Sequence, residues 1–169
     1  SSIVVDEDSG DDRKHTFADW TKDVSMGPAN ESGQVVKEYI VTNDNDGLFE
    51  EQPAISTNGA LTFKLAKDAN GAATVSAILI DDGGTNQGGN PTSAAVTFTI
   101  TVNPVDDDPV AVDDSYTVDE DSTNNELNVL DNDKDADIEW KNPDSLTIVS
   151  VGHNGVYGTT GATSEGGVV

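Results

Sequence analysis

Alternation of apolar and polar positions is clearest late in the first hundred or so residues. Ala94, Val96, Phe98, Ile100 and Val102 are interleaved with Thr97, Thr99 and Thr101. A period of two predicts a half-buried strand whose apolar set faces a core. Leu61, Phe63 and Leu65 alternate with Thr62 and Lys64 in the same way, and Asn58-Gly59 ahead of them predicts a tight turn from Ala54-Ile55-Ser56, hence a hairpin. Ala73 to Ile80 predicts a buried strand ended by Asp81-Asp82-Gly83-Gly84. Val35 to Thr42 predicts another, with Val35, Tyr39 and Val41 on one face, Glu38 and Thr42 on the other, and Ile40 out of step. Ser2-Ile3-Val4-Val5 predicts a short opening strand. Phe17, Trp20 and Val24 suit one or two helical turns as well as an irregular strand, with Phe17 and Trp20 filling the core. Gly27-Pro28-Ala29-Asn30 reads as a turn and Asn43-Asp44-Asn45-Asp46-Gly47 as a loop. Six or seven short strands in about a hundred residues predict a β-sandwich.

The pattern then restarts. Val5-Asp6-Glu7-Asp8-Ser9 recurs 113 residues later as Val118-Asp119-Glu120-Asp121-Ser122, across the seam Val105-Asp106-Asp107-Asp108-Pro109. A repeat of that length with an Asp- and Pro-marked seam predicts tandem modules, residues 1–108 and 109–169. Ser115 to Val118, Leu127 to Leu130 and Leu146 to Val151 are strand candidates in the second, and Asn154-Gly155 proposes a hairpin into Val156-Tyr157. The later strands of a sandwich are not reached. Residues after about 110 are therefore expected to be less well ordered than the first module, or ordered only near the seam.

Charge changes the picture. The chain carries 32 Asp and Glu against 8 Lys and Arg, a net charge of −24 in 169 residues. Between Asp106 and Glu139 stand fourteen acids and one base, Lys134. Unit charges about 4 Å apart repel by about 1 kcal/mol even in water. A hard divalent cation relieves such crowding, because Ca²⁺ accepts six to eight oxygens in irregular geometry. The competing reading is a solvated acidic linker. The same sign of charge argues against nucleic acid as a partner. There is no cysteine to staple the fold, which together with the acidity suits a secreted protein stiffened by metal. No apolar run is long enough to insert in a membrane.

The strings Asn58-Gly59-Ala60-Leu61-Thr62-Phe63, Lys67-Asp68-Ala69-Asn70-Gly71, Ile80-Asp81-Asp82-Gly83-Gly84, Thr97-Phe98-Thr99-Ile100-Thr101-Val102 and Val105-Asp106-Asp107-Asp108-Pro109 occur in an order that resembles a bacterial cadherin-like repeat. The resemblance implies an all-β, Ig-like or cadherin-like antiparallel sandwich with Greek-key connections over residues 1–108. The opening part of a second, incomplete repeat would follow. It implies that Glu7 and Glu120 stand for the first-strand Glu, Asp68 for the loop acid, Asp81 for the following step, and Asp106 and Asp107 for the linker. It departs at Asn70, where a second acid is expected, and in a shorter linker without its Asn. Glu7 and the 106–107 exit are expected near opposite ends of the module. Asp106, Asp107, Glu120, Asp68 and Asp81 are expected to form the best site.

Asp131, Asp133, Asp135 and Asp137 form a second candidate for Ca²⁺. An EF-hand is ruled out by Ala136 at the sixth position and Asn142 at the twelfth. A looser calcium loop competes there with a solvated turn. His15 and His153 lack any catalytic context and read as exposed loop residues. The Gly83-Gly84 to Gly88-Gly89 loop has no phosphate-cradle lysine, and Asn30-Glu31-Ser32 is a glycosylation sequon. No carboxylate pair sits in an apolar setting that would raise a pKa, so catalysis finds no support. The expectation is a non-enzymatic, extracellular adhesion or recognition module of a bacterial surface protein. Its partners would be neighbouring modules, a polysaccharide or a like protein. A plain rigid spacer is the rival. A sugar platform needs two or three exposed rings on one face, from among Trp20, Tyr39 and Trp140.

Overall fold

The computed structural model describes residues 2–27, 33–84, 89–139, 145–148, 151–153 and 156–158. The chain divides into two compact units, Ser1–Asp106 and Asp107–Val169. The Gly27 to Asn30 turn is described only at Gly27. The Gly84 to Gly88 part of the glycine loop, the sequon and Trp140 lie largely or wholly outside the described residues.

The first unit is an all-β sandwich. Its strands are β1 (Ser2–Asp6), β2 (Lys14–Phe17), β3 (Val36–Asn43), β4 (Phe49–Ile55), β5 (Leu61–Leu65), β6 (Gly71–Asp81) and β7 (Val96–Asn103). One sheet has the order β1-β7-β6-β3 and the other β2-β5-β4. Alternation decides which side chains meet between the sheets. Ile3, Ala73, Val75, Phe98, Ile100 and Val102 from the first sheet face Ile55, Leu61, Phe63 and Leu65 from the second, all buried. Registers are consistent with this: Val75 stands opposite Phe98, Ala73 opposite Ile100, and Ile3 beside Ile100.

Several expectations are corrected. Of the two readings of residues 11–24 the strand is the one formed: β2 places His15 and Phe17 against β5, and the chain then runs irregularly past Trp20 to a half-exposed Val24. His15 is no exposed loop residue. Its ring stacks on Phe63 at 5.1 Å and its Nε2 is buried without a hydrogen-bond partner among the described residues. The Asn58-Gly59 hairpin is present, but its first strand begins at Phe49, hidden by Glu50, Glu51 and Pro53 and broken by two register shifts. Gly59 has φ +84°, and a Cβ there would overlap the Thr21 hydroxyl. Ile40 shares the outer face of β3 with Glu38 and Thr42 and is 47% exposed, so it keeps the alternation rather than breaking it.

Two differences position everything that follows. First, β1 pairs with β7 in parallel, Ser2 beside Thr99 through Asp6 beside Asn103, so the sheet is mixed. Second, the sheets differ in length. β6 has eleven residues and β5 five, so the far half of β6 projects beyond its opposite layer. Ala77 to Ile80 are therefore half-buried instead of buried, and Val96 is 69% exposed although it points to the inner side.

In the second unit Ser115 to Val118 and Leu127 to Leu130 form no strand. Its described regular elements are one helical turn, Ala136–Glu139, and the antiparallel pair β8 (Val151–His153) and β9 (Val156–Gly158), with His153 opposite Val156. Residues 107–116 lie along 128–137 instead. Val110 and Lys134 exchange backbone bonds of 2.7 and 3.0 Å, and Tyr116 donates to the Asn128 carbonyl at 2.6 Å.

Candidate functional site

Because β1 and β7 run the same way, both leave the sandwich at one end. That overturns the expectation that Glu7 and the 106–107 exit are far apart. The Glu7 N–H donates to the Asn103 carbonyl at 3.1 Å. The Val105 N–H donates to Glu7 Oε1 at 2.6 Å, and Asn70 Nδ2 donates to Oε2 at 3.4 Å. Glu7 is 1% exposed. Asn103 Nδ2 donates to Asp6 Oδ1 at 3.0 Å beside it. Asp68 belongs to the same loop as Asn70, has φ +54°, and pairs with Lys67 at 2.6 Å. Asp106, next in the chain after Val105, is exposed.

Asp81 stands elsewhere. Gly71, at the start of β6, is opposite Val102 near Glu7; Asp81 is ten residues further along the same strand, about 33 Å at ~3.3 Å per residue. Its carboxylate accepts the Gly83 N–H at 2.7 Å and holds the turn that ends β6. It cannot join a site built on Glu7.

In the second unit the alternate acids of the 131–137 loop have separate tasks. Asp131 Oδ1 accepts Asn128 Nδ2 at 2.9 Å, and Asp133 Oδ1 accepts the Val112 N–H at 2.7 Å. Asp135 Oδ1 accepts the Asp137 N–H at 3.0 Å, and Asp137 Oδ2 accepts the Asp107 N–H at 2.8 Å. Asp135 and Asp137 are buried, which a solvated turn does not require. Glu120 is exposed in a turn whose hydrogen bonds copy those of its repeat partner. Ser122 donates its N–H and hydroxyl to the Asp119 carbonyl as Ser9 does to Asp6.

These donors are oxygens of the kind a hard cation takes, and Asn70 retains an amide oxygen where it lacks a charge. Among the described residues, however, no three acidic or imidazole side chains stand together as a ready metal cage. Besides Lys67, three of the bases are already engaged. Lys64 bridges Asp12 (2.8 Å) and Glu50 (3.0 Å), Arg13 reaches Glu50 (3.0 Å), and Lys14 pairs with Glu51 (2.7 Å) on the outer side of β2-β5-β4. The Lys64 hydrogen bonds hold Asp12 and Glu50 below the ordinary carboxylate range, and those two acids raise Lys64 in turn.

The projecting half of the longer sheet borders a cleft of about 970 Å³ in the first unit, walled by Trp20, Tyr39, Leu79, Val96 and Phe98. The Tyr39 hydroxyl donates to Thr21 Oγ1 at 3.4 Å, linking β3 to the 18–25 segment. Sequence reasoning named Trp20 and Tyr39 but not the cleft, which arises from unequal strand lengths rather than from any motif. It also missed the Glu7 contact with Asn70 and Val105; the Val5-to-Ser9 repeat was the available signal.

No family model, curated protein or solved structure matches the chain.

Proposed function

We propose that this chain is a calcium-binding, non-enzymatic adhesion or recognition module of a large secreted or surface-attached bacterial protein. The observation that carries the reading is Glu7: a buried carboxylate at the end of the sandwich where the chain leaves through Val105 and Asp106. Glu7, Asp68 and Asp106 supply the oxygens of one site. Asp107, Glu120 and the 131–137 carboxylates supply those of the second unit. Calcium takes the place of backbone and amide donors there, neutralises part of the −24 charge and stiffens the string of modules. Calorimetric titration with Ca²⁺, paired with melting in chelator, tests it. Heat of binding and a raised midpoint are expected; identical melting in EDTA and in millimolar calcium refutes the reading.

A calcium-stiffened spacer without its own ligand is the second reading. It is favoured by one observation: of the large apolar side chains exposed among the described residues, only Tyr116 is aromatic. Retention on insoluble cellulose, chitin or xylan, with and without chelator, separates the two. Among the described residues no helix is long and apolar enough to cross a membrane.

A further inference from the structure

We infer that the cleft beside the projecting half of β6 binds a short stretch of a neutral pyranose chain. This rests on the recognition half of the reading above and gives it a place. The cleft is concave and of a size usual for small-ligand sites, roughly 300–1,000 Å³ against about 970 Å³ here. Trp20 and Tyr39 are half-buried, so each offers surface while being held in place. Trp20 lies 5.2 Å from Phe98 and 6.0 Å from Phe17 between ring centroids, and Tyr39 is tied to Thr21. Rings already fixed by packing lose little freedom when a ligand arrives.

The chemistry of the walls selects the ligand. Asp19, Thr21, Lys22, Ser25 and Ser93 also line the cleft. A wholly apolar ligand would strip water from these groups without replacing their hydrogen bonds, at a cost. A pyranose has C–H faces that suit the electron-rich faces of aromatic rings, and a rim of hydroxyls for the polar groups. An anionic polysaccharide meets one lysine in the cleft, Lys22, on a chain of net charge −24. A peptide adding as a strand finds no free ladder on β6. That strand is paired with β3 on one side, and with β7 and the 91–93 segment on the other.

The test is calorimetric titration of the whole chain with cellohexaose, xylohexaose and chitohexaose, and with oligogalacturonate as the anionic comparison. Trp20 emission in a Trp140→Phe background, where it is the only indole, gives a second readout. At least one neutral oligosaccharide is expected to bind with Kd below about 1 mM, and oligogalacturonate is not. Trp20→Ala should weaken binding about tenfold or more. Because Trp20 also packs on the core, Val96→Arg is the second variant. It starts from a side chain that is 69% exposed and fills the cleft from its rim. It should abolish binding with the melting midpoint unchanged, while Ile40→Ala on the outer face binds as the parent does. Equal affinity in a folded Val96→Arg overturns the cleft and leaves the recognition reading standing. Oligogalacturonate binding as tightly as the neutral chains overturns the ligand class. Absence of binding to every saccharide overturns the cleft proposal alone, and the calcium reading is judged separately by melting.

Discussion

Glu7 accepts the Val105 N–H and the Asn70 amide with its two carboxylate oxygens while almost wholly buried, so its charge and its shape can be tested apart. Glu7→Ala leaves those donors unsatisfied and should cost about 1–3 kcal/mol in denaturant unfolding. Glu7→Gln keeps the shape and part of the bonding, and should lower stability less while removing most of the calcium-dependent rise in midpoint. His15 gives a separate signature. Burial against Phe63 pushes its pKa below 6.5. Between that lowered value and about 6.5 the unfolded chain binds more protons than the folded one, so stability is full above this window and falls as pH drops through it. Melting from about pH 8 down to pH 5.5 should show this decline, and His15→Phe should flatten it. The Asp12 and Glu50 contributions are lost only at lower pH, where those carboxylates protonate.

At the scale of elements, β5 is the strand on which the sandwich closes. Leu61, Phe63 and Leu65 are fully buried, and Phe63→Ala should cost about 3–5 kcal/mol by chemical denaturation. The hairpin that presents β5 depends on Gly59. Gly59→Ala forces a side chain into a left-handed conformation against Thr21 and should cost about 1–3 kcal/mol. The strands readable in sequence were those, like β5 and β7, whose alternation runs through Leu, Phe, Ile and Val against Thr. The end of β4 is legible at Ala54-Ile55, but its first part is not, because Glu50, Glu51 and Pro53 interrupt the pattern and its bulges break the period. β2 is not told apart from a helical turn in the sequence, because four residues carry too few repeats of the pattern to decide. Alternation reports which face is buried and says nothing of strand direction or neighbour. That is why Glu7 could be picked out by its repeat while its closeness to Val105 could not. Asp81 was misplaced for a related reason, since a motif carries no measure of how far an eleven-residue strand takes its last residue from its first.

For the whole molecule, the balance of charge is the governing quantity. A chain of net charge −24 is destabilised by its own repulsion and should gain stability from any salt. A specific metal effect must exceed that. At a hundredfold excess over Kd, calcium should add about 2.7 kcal/mol, raising the midpoint on the order of 10 °C. NaCl matched in ionic strength should give much less, and thermal melting in matched CaCl₂, MgCl₂ and NaCl separates the contributions.

The side-by-side, same-direction course of β1 and β7 also has a mechanical side. Ser2 and Asn103 sit at opposite ends of that pair, so tension applied to them slides the two strands lengthwise instead of peeling them apart. The rungs from Ser2–Thr99 to Asp6–Asn103 would bear load together rather than one by one. Such a unit resists pulling along its axis.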